Sequence, residues 1–149
     1  PEGEPVPLRD EGILAAAGQY SVLPWMHLSS LTEEGRFSSS RAETLLKSSH
    51  RQEALLEQIK EILKEKGYGG VDVDFEYLQP GLAGAYAAFI ERLRQELNKL
   101  GYTVQVALAP KVSRGQKGLL YGFISCAGNI VDLNFTEFNR HCTSLLFLH

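Results

Sequence analysis

The stretch Gly67–Pro80, GYGGVDVDFEYLQP, decides the fold. Asp72, Asp74 and Glu76 occupy every second position, and Val71, Val73 and Phe75 fill the positions between them. Side chains alternate across a strand, so this pattern predicts one face of acids and one face of apolar groups. The apolar set suits a face covered by helices. The acids then point inward, toward a barrel axis or a cleft. Successive acids stand about 6.5–7 Å apart along such a strand. Each lies in the field of the next, so at least one proton is expected to be held above its ordinary pKa.

Helices flank this strand on both sides. Before it, HRQEALLEQIKEILKEKG carries Leu55, Leu56, Ile59, Ile62 and Leu63 as a helical stripe, with Lys64 and Lys66 in the last turn and Gly67 as the stop. After it, residues 82–100 carry Tyr86, Phe89, Ile90, Leu93, Leu97 and Leu100 on one side, and Gly101 ends the helix. Farther out, SVLPWMHL (21–28) and YTVQVALAP (102–110) read as strands, with Pro24 weakening the first. RDEGILAAAGQY (9–20) reads as a helix through Ile13, Leu14 and Ala17, and SSSRAETLLKSS as a short helix capped by one of Ser38 to Ser40. GQKGLLYGFI (115–124) is expected to be helical and NIVDLNF (129–135) a strand, after which the pattern degrades. Strands therefore alternate with helices, which predicts an α/β fold with a parallel sheet and right-handed crossovers.

The totals narrow the function classes. The 149 residues suffice for one domain or part of a larger one. A net charge of −3 with scattered basic residues points to neither nucleic acid nor an anionic membrane, and no apolar run reaches membrane-spanning length. Cys126 and Cys142 have no metal or redox spacing and read as free thiols or one incidental bridge. The start at Pro1, without a leader, suggests a processed or excised piece. Compartment is not legible.

Buried carboxylates cost several kcal/mol each unless they are paired or hydrogen-bonded, and the segment holds no Lys or Arg to neutralise them. Such a ladder favours catalysis over a structural polar network. An acid kept protonated beside another suits a general acid. Glu76, last in the predicted strand, lies nearest the C-terminal end, where α/β barrels build their active sites. Asp74 is one step below, and Asp72 is deeper.

GGVDVDFE resembles the strand-four signature of glycoside hydrolase family 18, DxxDxDxE with an aromatic before the Glu. Asp72, Asp74, Phe75 and Glu76 match it, and Gly69 stands where the first acid would be. That acid is the outermost of the set, so its loss is expected to matter less. LPWMHLSSLTEEGRFSS, IKEILKEKGYGGVDVDFEY and GYTVQVALAPKVSRGQKGLLYGF resemble the family's spore-germination, cortex-lytic N-acetylglucosaminidase branch over about residues 1 to 123.

The resemblance implies a (β/α)8 TIM barrel and substrate-assisted retaining hydrolysis, outside the two-carboxylate scheme of most glycosidases. Glu76 would be the proton donor, Asp74 would orient the substrate's 2-acetamido group, and Asp72 would tune Asp74. The implied substrate is an N-acetylated polysaccharide such as peptidoglycan or a chitin-like glycan. No metal or cofactor is required, and the implied location is extracellular or at the spore or cell wall.

An intact barrel needs about 250 residues. The chain is therefore expected to be a fragment of about four βα units, strands three to six, over residues 1–149, with a divergent tail from about 124 to 149. Phe135 and Phe138 stand where the family ends strand six with a tyrosine. Open sheet edges invite self-association. The fragment is expected to be inactive or weak alone.

Two other readings of the acids stay open: a Mg²⁺ or Ca²⁺ site, although the spacing is not that of an EF-hand loop, and a degenerate barrel that binds glycan without turnover. His27 reads as a satisfied polar residue at a strand end and Trp25 as core packing. KVSRGQK reads as a solvated basic loop.

Overall fold

A computed structural model describes residues 10–32 and 34–107, and the backbone of 143–147. In chain order these form α1 (Glu11–Tyr20), β1 (Trp25–Ser29), α2 (Ser39–Leu46), α3 (Ser49–Lys66), β2 (Gly70–Asp74), a 3-10 turn (Pro80–Leu82), α4 (Ala83–Asn98), β3 (Thr103–Val106) and β4 (Thr143–Phe147). The sheet order is β3-β2-β1-β4 and every pairing is parallel. The α/β reading holds, with helices joining β1 to β2 and β2 to β3.

Local chemistry explains the boundaries. The side chains of Ser38 and Ser48 accept from the amides of Arg41 and Arg51, satisfying donors that the first turns of α2 and α3 leave open. Gly67 closes α3 at φ 71°, a left-handed conformation that glycine adopts without steric cost. Pro24 lies just outside β1, where its carbonyl accepts from Gly69 N–H at 2.9 Å. The residue expected to weaken the strand instead marks where it begins.

One face of the sheet is apolar. Met26, Leu28, Val71, Val73, Val104 and Val106 are buried in one cluster with Leu55, Ile59 and Leu63 of α3 and Phe89, Leu93 and Leu97 of α4. Phe75 joins them and stacks on Tyr86 and Phe89 at centroid distances of 5.6 and 6.0 Å. Burying side chains of this size contributes about 1.5–3 kcal/mol each, which makes this layer the main source of stability.

Several expectations are corrected. Leu100 is 55% exposed, because α4 ends at Asn98 and the turn to β3 swings the residue out of the helical stripe. Lys66 does more than complement the α3 dipole. Its Nζ donates to both oxygens of the buried Asp10 at 2.6 and 2.7 Å, and Tyr68 Oη donates to the same carboxylate at 2.6 Å. This cluster ties the start of α1 to the end of α3.

β2 ends at Asp74, so Glu76 is beyond the strand and not its last residue. Tyr77, at φ 56°, turns the chain there. The segment 143–147, read as pattern-poor tail, forms β4 on the outer edge of β1. The β-rich run TSLLF can hydrogen-bond an edge wherever it lies in the sequence. The expected helix at 115–124 and strand at 129–135 lie outside the described residues, as do both cysteines. No helix among the described residues is long and apolar enough to cross a membrane.

Candidate active site

The second face of the sheet is built by register. Met26 pairs with Val71, His27 with Asp72, Leu28 with Val73 and Ser29 with Asp74; on the other side Asp72 pairs with Gln105. Partners across a parallel pair share a face, so Trp25, His27, Ser29, Asp72, Asp74 and Gln105 lie opposite the apolar core. Trp25 therefore belongs to the acid-bearing face. Its ring stands over Gly70, where an added Cβ would lie 3.0 Å from Trp25 Cζ3 and 2.1 Å from Thr103 O.

The acids are graded in exposure along the chain. Asp72 is 3% exposed, the side chain of Asp74 is 17% exposed, and Glu76 is half-buried. Exposure thus rises toward the C-terminal end of the strand. At that end Tyr77 is 76% exposed and meets Phe37 edge-on, with ring centroids 6.1 Å apart. Phe37 is carried there by the loop after β1, which a bridge between Leu31 and Phe37 pinches together.

The acid held high is Asp74, pushed up to about 6 from the ordinary 3.8. Burial is the largest cause; the negative charges of Glu76 and Asp72 push in the same direction, and His27 opposes them. At pH 7 Asp74 is mostly ionised, and modest changes around it move its charge.

His27 is the residue that sequence reading undervalued. Its Nδ1 is 2.9 Å from Asp72 Oδ2 and its Nε2 is 3.7 Å from Asp74 Oδ2. It sits inside β1, not at a loose strand end, and it is 8% exposed. The strand runs on to Ser29, one residue past the predicted end, which puts His27 and Ser29 on one face. Their meeting with Asp72 and Asp74 depends on the β1–β2 register, across 45 residues of sequence. Four polar atoms are buried without a hydrogen-bond partner among the described residues: Ser29 Oγ, Ser30 Oγ and Asp72 Oδ1, and on the core side Tyr86 Oη. Each such atom costs about 1–3 kcal/mol, and a fold built only for stability would use apolar groups there.

The arrangement can move a proton at Glu76, place a carboxylate beside a developing positive charge at Asp74, and brace that carboxylate from beneath through Asp72 and His27. Among the described residues no group of three or more His, Cys, Asp or Glu side chains is disposed to hold a metal ion.

No family model matches the chain. The chain is 34% identical over 89 residues to the cortical fragment-lytic enzyme of Bacillus subtilis, covering 60% of this chain and 21% of that protein. The crystal structure of the spore cortex-lytic enzyme SleL of Bacillus megaterium superposes with a TM-score of 0.68 at 33% identity, covering 77% of this chain and 26% of that one. A class V chitinase of Pseudomonas fluorescens superposes with a TM-score of 0.70 at 23% identity, over 78% of this chain and 36% of that one, a likeness of fold. The chain spans less than a third of the length of the curated relatives it matches. The chain is thus similar to part of the cortex-lytic enzymes, the branch to which the motif resemblance points, and its described part matches a section of their TIM-barrel fold.

Proposed function

We propose that this chain carries the catalytic strand of a glycoside hydrolase acting on N-acetylglucosamine-containing glycans, of the peptidoglycan or chitin type, by substrate-assisted retaining hydrolysis. One observation carries the reading: Asp72, Asp74 and Glu76 run from buried to accessible, Asp72 and Asp74 on the face opposite the core and Glu76 just past the strand, near enough for its charge to act on Asp74. Glu76 gives its proton to the glycosidic oxygen as the bond to the anomeric carbon breaks. The 2-acetamido carbonyl oxygen of the same sugar attacks that carbon, forming an oxazolinium ion. Asp74, anionic at neutral pH, orients the acetamido N–H and stabilises the positive charge that grows there. Glu76, now a carboxylate, takes a proton from water as the hydroxyl adds to the anomeric carbon. The exposed Tyr77 and half-buried Phe37 supply an aromatic surface beside Glu76, suited to the apolar face of a sugar ring.

The short span of the chain supports weak or absent turnover by the chain alone, since an incomplete barrel confines substrate poorly and admits water. The test is release of reducing ends from purified peptidoglycan by the full chain and by Glu76→Gln. Slow release that disappears in the variant is expected. Binding to the glycan without cleavage, unchanged by Glu76→Gln, would replace hydrolysis with a binding role. Self-association belongs to the same proposal: among the described residues β3 has a strand neighbour on one side only.

A further inference from the structure

We propose that His27 is a positioning residue of this site, bridging the two inner acids so that Asp72 is locked in place and Asp74 is steered as an anion toward the substrate. The inference rests on the hydrolase reading and deepens it.

Geometry carries it. A carboxylate within 2.9 Å of Nδ1 accepts a hydrogen bond, so Nδ1 bears the proton and donates to Asp72 Oδ2. Nε2 lies 3.7 Å from Asp74 Oδ2, too long for a hydrogen bond but within ion-pair range when the ring is protonated. One imidazole thus links the fixed acid to the movable one. Among the described residues every ion pair of Asp72 and Asp74 is with His27, and no Lys or Arg reaches either acid. A residue serving only to satisfy Asp72 would not need its second nitrogen directed at the neighbouring carboxylate.

The surroundings leave few competitors. Among the described residues Asp72 and Asp74 face the ring from β2, Glu76 just past β2 acts on Asp74, and β3 contributes the uncharged Gln105. β4, paired along the other side of β1, contains no titratable residue. Across the sheet, the Tyr86 hydroxyl is held above its ordinary range, first by burial and then by the charge of Asp74, and stays neutral. Among the described residues, His27 is therefore the side chain that links the two inner acids.

Charge and hydrogen bonding separate in His27→Gln, which keeps a donor for Asp72 but can never carry the positive charge. The full chain with 13C-labelled aspartate and 15N-labelled histidine is titrated by NMR from pH 4 to 8. In the wild type, 15N shifts should report a proton on Nδ1 of His27, and the Asp74 carboxyl should titrate near 6. In His27→Gln the Asp74 midpoint should rise by about one pH unit, a tenfold change in its ionisation ratio at fixed pH. An Asp74 midpoint that stays put or falls would overturn the proposal. Should His27→Gln not fold, the wild-type ring decides: a neutral imidazole protonated only at Nε2 would equally overturn it. Glycan turnover is not needed for either reading, so a failure of hydrolysis by the wild type counts against the enzymatic function and not against the bridge.

Discussion

Asp74 links the site to stability, and replacing it by Asn exposes the link as a dependence on pH. Its folded pKa of about 6 is raised above the ordinary 3.8, chiefly by burial. A carboxyl raised in this way is easier to bury protonated than ionised. Its contribution to stability is therefore fully present below pH 3.8 and is lost as pH rises through 6. At about 1.4 kcal/mol per pH unit the loss would approach roughly 3 kcal/mol by pH 8, and solvent at the partly open mouth should reduce it to about 1.5–2 kcal/mol. Asn at position 74 is nearly isosteric and does not titrate, so this component disappears. Urea denaturation of both chains at intervals between pH 4 and 8 checks it. The stability difference, variant minus wild type, should grow by about 1.5–2 kcal/mol across that range in favour of the variant. Groups common to both chains, including Asp10, cancel in the difference. Parallel stability profiles, or a difference that shrinks with rising pH, would refute the reasoning that burial dominates at Asp74.

Three other outcomes follow from the packing. Gly70→Ala should cost about 1–3 kcal/mol or more, measured by thermal denaturation, because its Cβ would lie 2.1 Å from the Thr103 carbonyl and force β2 and β3 apart. Gly69→Ala, whose Cβ would have atoms of the 61% exposed Leu23 side chain as its nearest neighbours, should stay within about 0.5 kcal/mol of the wild type as that side chain shifts. Asp10→Asn should lose about 1–3 kcal/mol at pH 7. Burial raises the pKa of Asp10, but the hydrogen bonds from Lys66 and Tyr68 outweigh it and leave the carboxyl below its ordinary value. Its stabilisation is thus present above pH 3.8 and fades as pH falls further, so variant and wild type should converge in acid denaturation.

Much of this architecture could be read along the chain. Period-two alternation placed Asp72 and Asp74 opposite Val71, Val73 and Phe75, while Glu76 lies past the end of β2. Helical stripes at 55–63 and 86–97 predicted what covers the apolar side. Gly67 and the serine caps marked the ends, because capping and left-handed turns depend on residues a few positions apart. The reading erred where the outcome rests on distant partners. Leu100 kept the helical period but lies past the last turn of α4. Lys66 suited the helix dipole but is claimed by Asp10, 56 positions away.

By itself, then, the sequence determined the alternation of helices and strands, the shared face of Asp72 and Asp74 in β2, and the resemblance that suggests the chemistry. These are properties of residue type and short-range spacing. The tertiary structure alone decided that His27 stands between Asp72 and Asp74, that Asp74 is the acid held high, and that TSLLF pairs with β1. Each depends on which strand lies beside which, and in what register. A parallel sheet sets that through crossovers tens of residues long, so no local pattern in the chain encodes it.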